Sequence, residues 1–151
     1  MDAARLGGRD GLRCCAGMII HPSDMRDALT AGVLETLHDR LAPIATAARE
    51  MAVFVYLDPK WRVLGTREVS GGGVDSLIIP LRAVVADALE FDAAAIAMAH
   101  NHPGGDPTPS PADYAVTRRL ARTLDSIGIA LVEHLVLARG RRISFRAEGL
   151  L

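Results

Sequence analysis

Polar and apolar positions divide the chain into a series of short elements. In "HPSDMRDALTAGVLETLHDRL", Met25, Leu29, Val33, Leu34 and Leu37 recur at helical spacing behind a cap signal at Ser23 or Asp24. Pro43 has no backbone N–H and should break or restart that helix. "APIATAARE" then reads as a second helical piece running to about Glu50. "MAVFVYLD" is a β-rich apolar run, "DPKW" a turn, and "WRVLGTREV" the return strand of a hairpin. A flexible loop, "SGGGVD", leads to "SLIIP", which has the pattern of a short edge strand. "PLRAVVADALEF" predicts a helix with Pro80 near its first position, where Pro is tolerated. "AAAIAMAH" is apolar on both faces, as suits a central buried strand. "PADYAVTRRLARTLDSIG" is amphipathic and closes at Gly128, and "IALVEHLVLA" and "RRISFRA" form a last hairpin across "RGR". The predicted order is α-β-β-β-α-β-α-β-β, an α/β domain in which helices flank a mixed sheet in two or three layers.

Composition adds bounds. A chain of 151 residues, half of them hydrophobic, fits one well-filled core. No apolar run is long enough to cross a bilayer, so no membrane partner is expected. Residues 1–22 read as an N-terminal tail rather than a signal peptide, because "MDAARLGGRDGLRCCAGMII" is charged and holds only a short apolar piece. Cys14 and Cys15 are adjacent, which suits neither a disulfide framework nor a thiolate zinc site, and a reducing, cytoplasmic setting is expected. Net charge is −1 but unevenly spread: from residue 117 onward seven arginines face three carboxylates, a balance of +4, against −5 for the ten cationic and fifteen acidic residues before them. A basic patch can meet phosphate or an acidic partner; a solvated helix face and a polar hairpin give the same pattern.

The candidate chemistry lies in "AHNHPGGDPTPSPAD", residues 99–113. His100 and His102 are one residue apart at the end of a predicted strand, so both side chains share a face and Asn101 takes the other. Ser110 and Asp113 stand at i and i+3 where the next helix begins, which by itself reads as a capping box with Asp in the usual Glu place. The loop between is short, so the helix start must lie near the strand end and the Asp113 carboxylate comes within reach of both imidazoles. Two His and one carboxylate leave a fourth tetrahedral position open, the plan of a catalytic zinc site.

His-x-His, seven residues, Ser, two residues, Asp resembles the JAMM motif of the JAB/MPN metalloprotease superfamily, with His100, His102, Ser110 and Asp113 at every position. "HNHPGGDPTPSPAD", with "TRRL" and "EHLVLARGRRISF" after it, is similar to the RadC-type branch, which carries a DNA-repair label; the similarity covers residues 49–151, behind a helical segment at 23–48. The resemblance implies a JAB/MPN (cytidine-deaminase-like) fold, a mixed sheet flanked by helices in a three-layer-like arrangement. The family also uses a glutamate ahead of the first strand. Glu50 in "AREMAVFVYLD" fits that place, and Glu68 in "TREVSGG" is the competitor. Gly104 replaces the usual Ser, Leu81 stands where Arg is common with Arg82 next to it, and residues 1–48 do not resemble the helix-hairpin-helix region of full-length RadC proteins.

The resemblance implies a zinc hydrolase acting on a peptide or protein substrate. His100, His102 and Asp113 would hold Zn²⁺ with a water in the open position, Glu50 would act as general base, and Ser110 would donate to the developing oxyanion. Asp106 could accept from a ligating imidazole or simply form the turn, and His134 reads as a core histidine that could assist if it faces the cleft. A metal-dependent nuclease or other nucleic-acid-associated protein is the rival. The C-terminal arginines favour it weakly; against it, aromatics are only 4% of the chain and no second acidic cluster is evident.

Overall fold

The computed structural model describes residues 31–71 and 77–151. The predicted tail, the cap at Ser23 or Asp24, the paired cysteines and most of the glycine loop lie outside the described residues. Helix α1 spans Ala31–Leu41 and gives way at Pro43 to a 3-10 turn, Ala42–Thr46. The second helical piece expected to reach Glu50 therefore stops at Thr46. Beyond it the backbone is tied to the sheet instead: Asn101 Nδ2 donates to the carbonyls of Ala47 and Arg49, and its Oδ1 accepts the Met51 N–H.

Strands β1 (Met51–Leu57) and β2 (Val63–Ser70) form the first hairpin. Its turn is built by Asp58, whose Oδ1 accepts the N–H groups of Lys60 and Arg62. The segment "SLIIP" is not a strand over its described residues 77–80. Its alternation serves packing on a sheet face rather than pairing: Leu77 and Ile79 lie against the core while Ile78 is exposed. Helix α2 follows at Leu81–Glu90 behind Pro80, then strand β3 (Ala95–Asn101), helix α3 (Pro111–Asp125), and strands β4 (Ala130–Ala138) and β5 (Arg141–Ser144). The β4–β5 turn uses Arg139 and Gly140, both in the left-handed region, as a two-residue hairpin requires.

The sheet order is β2-β1-β3-β4-β5, with only β3 and β4 parallel. Both edges are guarded against further pairing: β2 alternates half-buried and exposed residues, and β5 is four residues long and begins with two arginines. The central β1, β3 and β4 are apolar on both sides because both faces are covered. Leu37, Leu41 and Ile44 pack on one face against Val53, Val55 and Ala97. Val84 and Ala88 of α2 and Leu120 and Leu124 of α3 pack on the other, against Phe54, Tyr56 and Met98. The result is an α/β domain of three layers, a five-stranded mixed sheet flanked by helices. No helix among the described residues is long and apolar enough to cross a membrane.

Candidate metal centre

The C-terminal end of β3 carries the site. His100 is paired with Ala52 of β1 and Val136 of β4, so it is buried at 2% exposure in the middle of the sheet. The His102 N–H donates to the Leu137 carbonyl and prolongs the parallel pairing by one residue. As the strand alternation requires, His100 and His102 share a face: their Nε2 atoms are 3.0 Å apart. The loop turns back at Gly105, whose φ of +90° is accessible to glycine without strain. Asp106 closes a further turn by accepting from the Thr108 N–H and hydroxyl. A Cβ at Gly104 would meet nothing within 4 Å, so Ser would fit there equally well.

Ser110 caps α3. Its hydroxyl oxygen accepts the Asp113 N–H, and the Asp113 Oδ2 accepts the Ser110 N–H at 2.7 Å and the Ser110 hydroxyl at 2.7 Å. The capping box and the candidate site are thus one structure. It holds the Asp113 carboxylate with Oδ1 3.0 Å from His100 Nε2 and Oδ2 3.4 Å from His102 Nε2. Burial pushes the Asp113 carboxyl up, but hydrogen bonding and charge from His100, with the Ser110 donors, outweigh it and hold the group well below the usual carboxylate range.

Glu50 reaches the same place from the start of β1. One ligand atom each from Glu50, His100 and His102 lies within 4.8 Å of the others, a group able to hold a metal ion. Glu50 and Ser110 line both a 330 Å³ cleft shared with His100, Asp113, Met98 and Leu77–Ile79, and an adjoining 350 Å³ cleft shared with His102 and Asp106. Glu68 does not join them. It is exposed and sits opposite Val53, whose side chain belongs to the other face of the sheet. Arg82 is likewise exposed and lines neither cleft.

The donor chemistry fits a cation. His102 Nδ1 lies 2.8 Å from the Asp106 carbonyl oxygen, which can only accept, so Nδ1 carries the proton and Nε2 keeps its lone pair. It is therefore the Asp106 backbone that holds this imidazole, while its side chain forms the turn. Two imidazole nitrogens and a carboxylate in such close mutual contact are satisfied either by a proton held among them or by a metal ion.

Behind His100 lies His134, fully buried, with Nε2 2.8 Å from His100 Nδ1 and Nδ1 2.7 Å from the Thr117 hydroxyl. Burial, reinforced by the charge of His100, pushes the His134 pKa well down and keeps it neutral. Phe145 stacks on its ring at 4.5 Å between centroids. Thr117 had no signal in the sequence, and His134 only a conditional one.

Comparison with known proteins agrees with this geometry. The model of the RadC-like JAB domain family matches residues 28–150. The chain is 46% identical over 97 residues to the UPF0758 protein of Rhodobacter capsulatus, covering 64% of this chain and 45% of that one. It is 38% identical over 119 residues to a UPF0758 protein of Ruegeria pomeroyi (79% and 52% covered), and 37% identical over 153 aligned positions to one of Xanthomonas euvesicatoria pv. vesicatoria (97% and 67% covered). The chain spans about half to two thirds of the length of these curated relatives. A match over most of its length, with the two histidines, the serine and the aspartate gathered at two adjoining clefts, means that the chain belongs to the RadC-like JAB domain family.

Proposed function

We propose that this chain is a zinc-dependent hydrolase of amide bonds, peptidase- or isopeptidase-like, in which His100, His102 and Asp113 hold the metal. The observation that carries the reading is the contact of three donors. A tetrahedral zinc with bonds of about 2.05 Å holds neighbouring ligand atoms about 3.3 Å apart. His100 Nε2 lies 3.0 Å from His102 Nε2 and 3.0 Å from Asp113 Oδ1, and His102 Nε2 lies 3.4 Å from the other carboxylate oxygen, Oδ2, separations close to that spacing. The donor set, two imidazoles and a carboxylate without sulfur, suits zinc and leaves a ligand position open. When bound, zinc supplies Lewis acidity, acidifying water and polarising a carbonyl.

The chain's own residues supply the rest. Glu50, half-buried and lining both clefts, accepts the proton of the attacking water and passes it to the leaving amine. The Ser110 hydroxyl turns from the Asp113 carboxylate to the developing oxyanion, a donor worth about 2.7–4 kcal/mol in comparable sites. Ser110 can keep capping α3 through its lone pairs meanwhile. Leu77, Ile79 and Val116 give the cleft an apolar wall for a peptide or protein substrate. The cytoplasmic setting expected from the sequence belongs to this reading.

The test is to measure bound zinc and cleavage of peptide, isopeptide and nucleic-acid substrates by the wild type, Glu50→Gln and His102→Ala. Zinc retained with hydrolysis lost is expected for Glu50→Gln, and both lost for His102→Ala. Nucleic-acid cleavage alone would overturn the amide assignment in favour of the nuclease reading. Full amide hydrolysis by zinc-loaded Glu50→Gln would overturn Glu50 as base.

A further inference from the structure

We propose that His134, oriented by Thr117, is a positioning residue that fixes the proton of His100 on Nδ1 and so presents the Nε2 lone pair to the metal. This rests on the metal-site reading above and adds a role for two residues that touch neither metal nor substrate.

The argument is a chain of hydrogen bonds whose polarity is set at one end. Thr117 Oγ1 lies 2.6 Å from the Asp113 backbone carbonyl, an acceptor only, so the hydroxyl proton points there. Thr117 has no second proton to give, so at 2.7 Å it must accept from His134 Nδ1. A neutral His134 protonated on Nδ1 has a lone pair on Nε2, which at 2.8 Å accepts from His100 Nδ1. His100 protonated on Nδ1 leaves Nε2 bare, and Nε2 is the atom beside His102 and Asp113. Reversing any link would set two acceptors against each other at under 3 Å inside the protein, where an unmade hydrogen bond is costly.

Burial makes the relay stiff. His100, Thr117 and His134 are at most 2% exposed, so water cannot substitute for a missing partner. Phe145, 1% exposed, covers the His134 ring. The relay also closes on itself: it starts from the backbone of Asp113 and ends on His100, so two residues from different elements that would share the ion are joined through α3 and β4 as well as by their direct contact. A core histidine needing only satisfaction could have used any backbone carbonyl. This one spends both nitrogens on the path between two ligands.

The experiment compares apo protein of the full chain, wild type, Thr117→Val, His134→Phe and His134→Gln, by competition for zinc with a chromophoric chelator. Loss of such an outer partner typically costs 10–100-fold in metal affinity. We expect a loss in that range for His134→Phe and a smaller one, at least several-fold, for Thr117→Val. We expect recovery toward wild type in His134→Gln, whose amide can both accept from His100 and donate to Thr117. Nitrogen-15 correlation spectra of the zinc-loaded protein should show the His100 Nδ1 proton sharp and slow to exchange in the wild type, and exchange-broadened in Thr117→Val. Should His134→Phe fail to fold, Thr117→Val, nearly isosteric, decides the matter. Wild-type zinc affinity and an unaltered His100 signal in Thr117→Val, with zinc bound, overturn the relay and leave the metal site standing. A wild type that binds no zinc overturns both.

Discussion

Asn101 lies between the two site histidines in sequence but faces the opposite side of the sheet, where it anchors the segment that carries Glu50. It is fully buried, and its amide makes three hydrogen bonds: 2.7 Å from the Met51 N–H, 3.1 Å to the Ala47 carbonyl and 3.0 Å to the Arg49 carbonyl. Glu50 sits between two of those anchored residues. Asn101→Ala removes all three bonds. At about 1 kcal/mol net each the loss would be about 3 kcal/mol. Arg49 is exposed and water can replace its lost donor, which puts the expected destabilisation at about 2–3 kcal/mol. With a urea slope of about 2 kcal/mol/M, the unfolding midpoint should fall by about 1–1.5 M with the slope unchanged. Asn101→Asp keeps the acceptor for Met51 but turns two donors into a charge facing two carbonyls, and should be at least as destabilised at pH 7. Both variants should bind zinc nearly as the wild type does, since His100, His102 and Asp113 are held by other contacts. On the proposed function both should hydrolyse amides more slowly, because Glu50 has lost its mooring. A midpoint within about 0.3 M of the wild type in Asn101→Ala would refute the anchoring argument, whatever the activity did.

Further expectations concern the other parts of the fold. Arg67 makes a two-pronged hydrogen bond to Asp87, which also accepts from the Tyr56 hydroxyl at 2.9 Å, and these contacts hold the Asp87 carboxyl below its usual range. Their stabilisation is present above the unfolded-state pKa of about 3.9 and is lost as pH falls through the lower folded value; Asp87→Asn should cost about 1–3 kcal/mol at pH 7 and flatten the acid limb of a stability–pH curve, and an unchanged limb would tell against it. A Cβ on Gly65 would come within 2.5 Å of the Phe91 ring, so Gly65→Ala should cost about 1–3 kcal/mol, a penalty that largely disappears in a Phe91→Ala background; equal penalties in both backgrounds would show the ring is not the obstacle. Zinc at 100 times its dissociation constant should raise unfolding stability by about 2.7 kcal/mol over chelator-treated protein, an increment that His102→Ala should abolish.

Much of the site was legible because its spacing is local. The strand period places His100 and His102 on one face, and a seven-residue loop brings a helix N-terminus beside them. Capping then aims Asp113 inward, using the same hydrogen bonds that a plain capping box would use. That Glu50 lines the clefts and Glu68 does not depends on long-range register, since the pairing of Glu68 with Val53 sends it to the face away from the histidines. The segment "SLIIP" shows a limit of periodicity: alternation records that every second residue is covered, and a chain lying across a helix-covered face satisfies it without a strand partner.

His134 shows a second limit, and a sharper one. Counted by simple alternation from Leu131, which packs on the face that carries His100, position 134 falls on the opposite face. Between β3 and β4, however, the register shifts after Ile96: Leu131 is opposite Ile96, but Glu133 is opposite Ala97 and His134 opposite Met98. One extra residue in β4, a bulge at Val132–Glu133, reverses the sidedness of everything beyond it. Glu133 is turned to the α1 side, where it accepts from Ser144 and lies 3.5 Å from His38, and His134 is turned to His100. Neither strand's own sequence records the bulge, because residues 130–138 are buried throughout and offer no polar alternation to read. The proposed relay behind His100 therefore depends on a single-residue bulge in the neighbouring strand. Deleting Val132 should keep His134 opposite Met98, now in plain alternation from Leu131, whereas inserting one residue between Glu133 and His134 should turn His134 to the far side and leave His100 Nδ1 without its acceptor even though every motif residue remained in place.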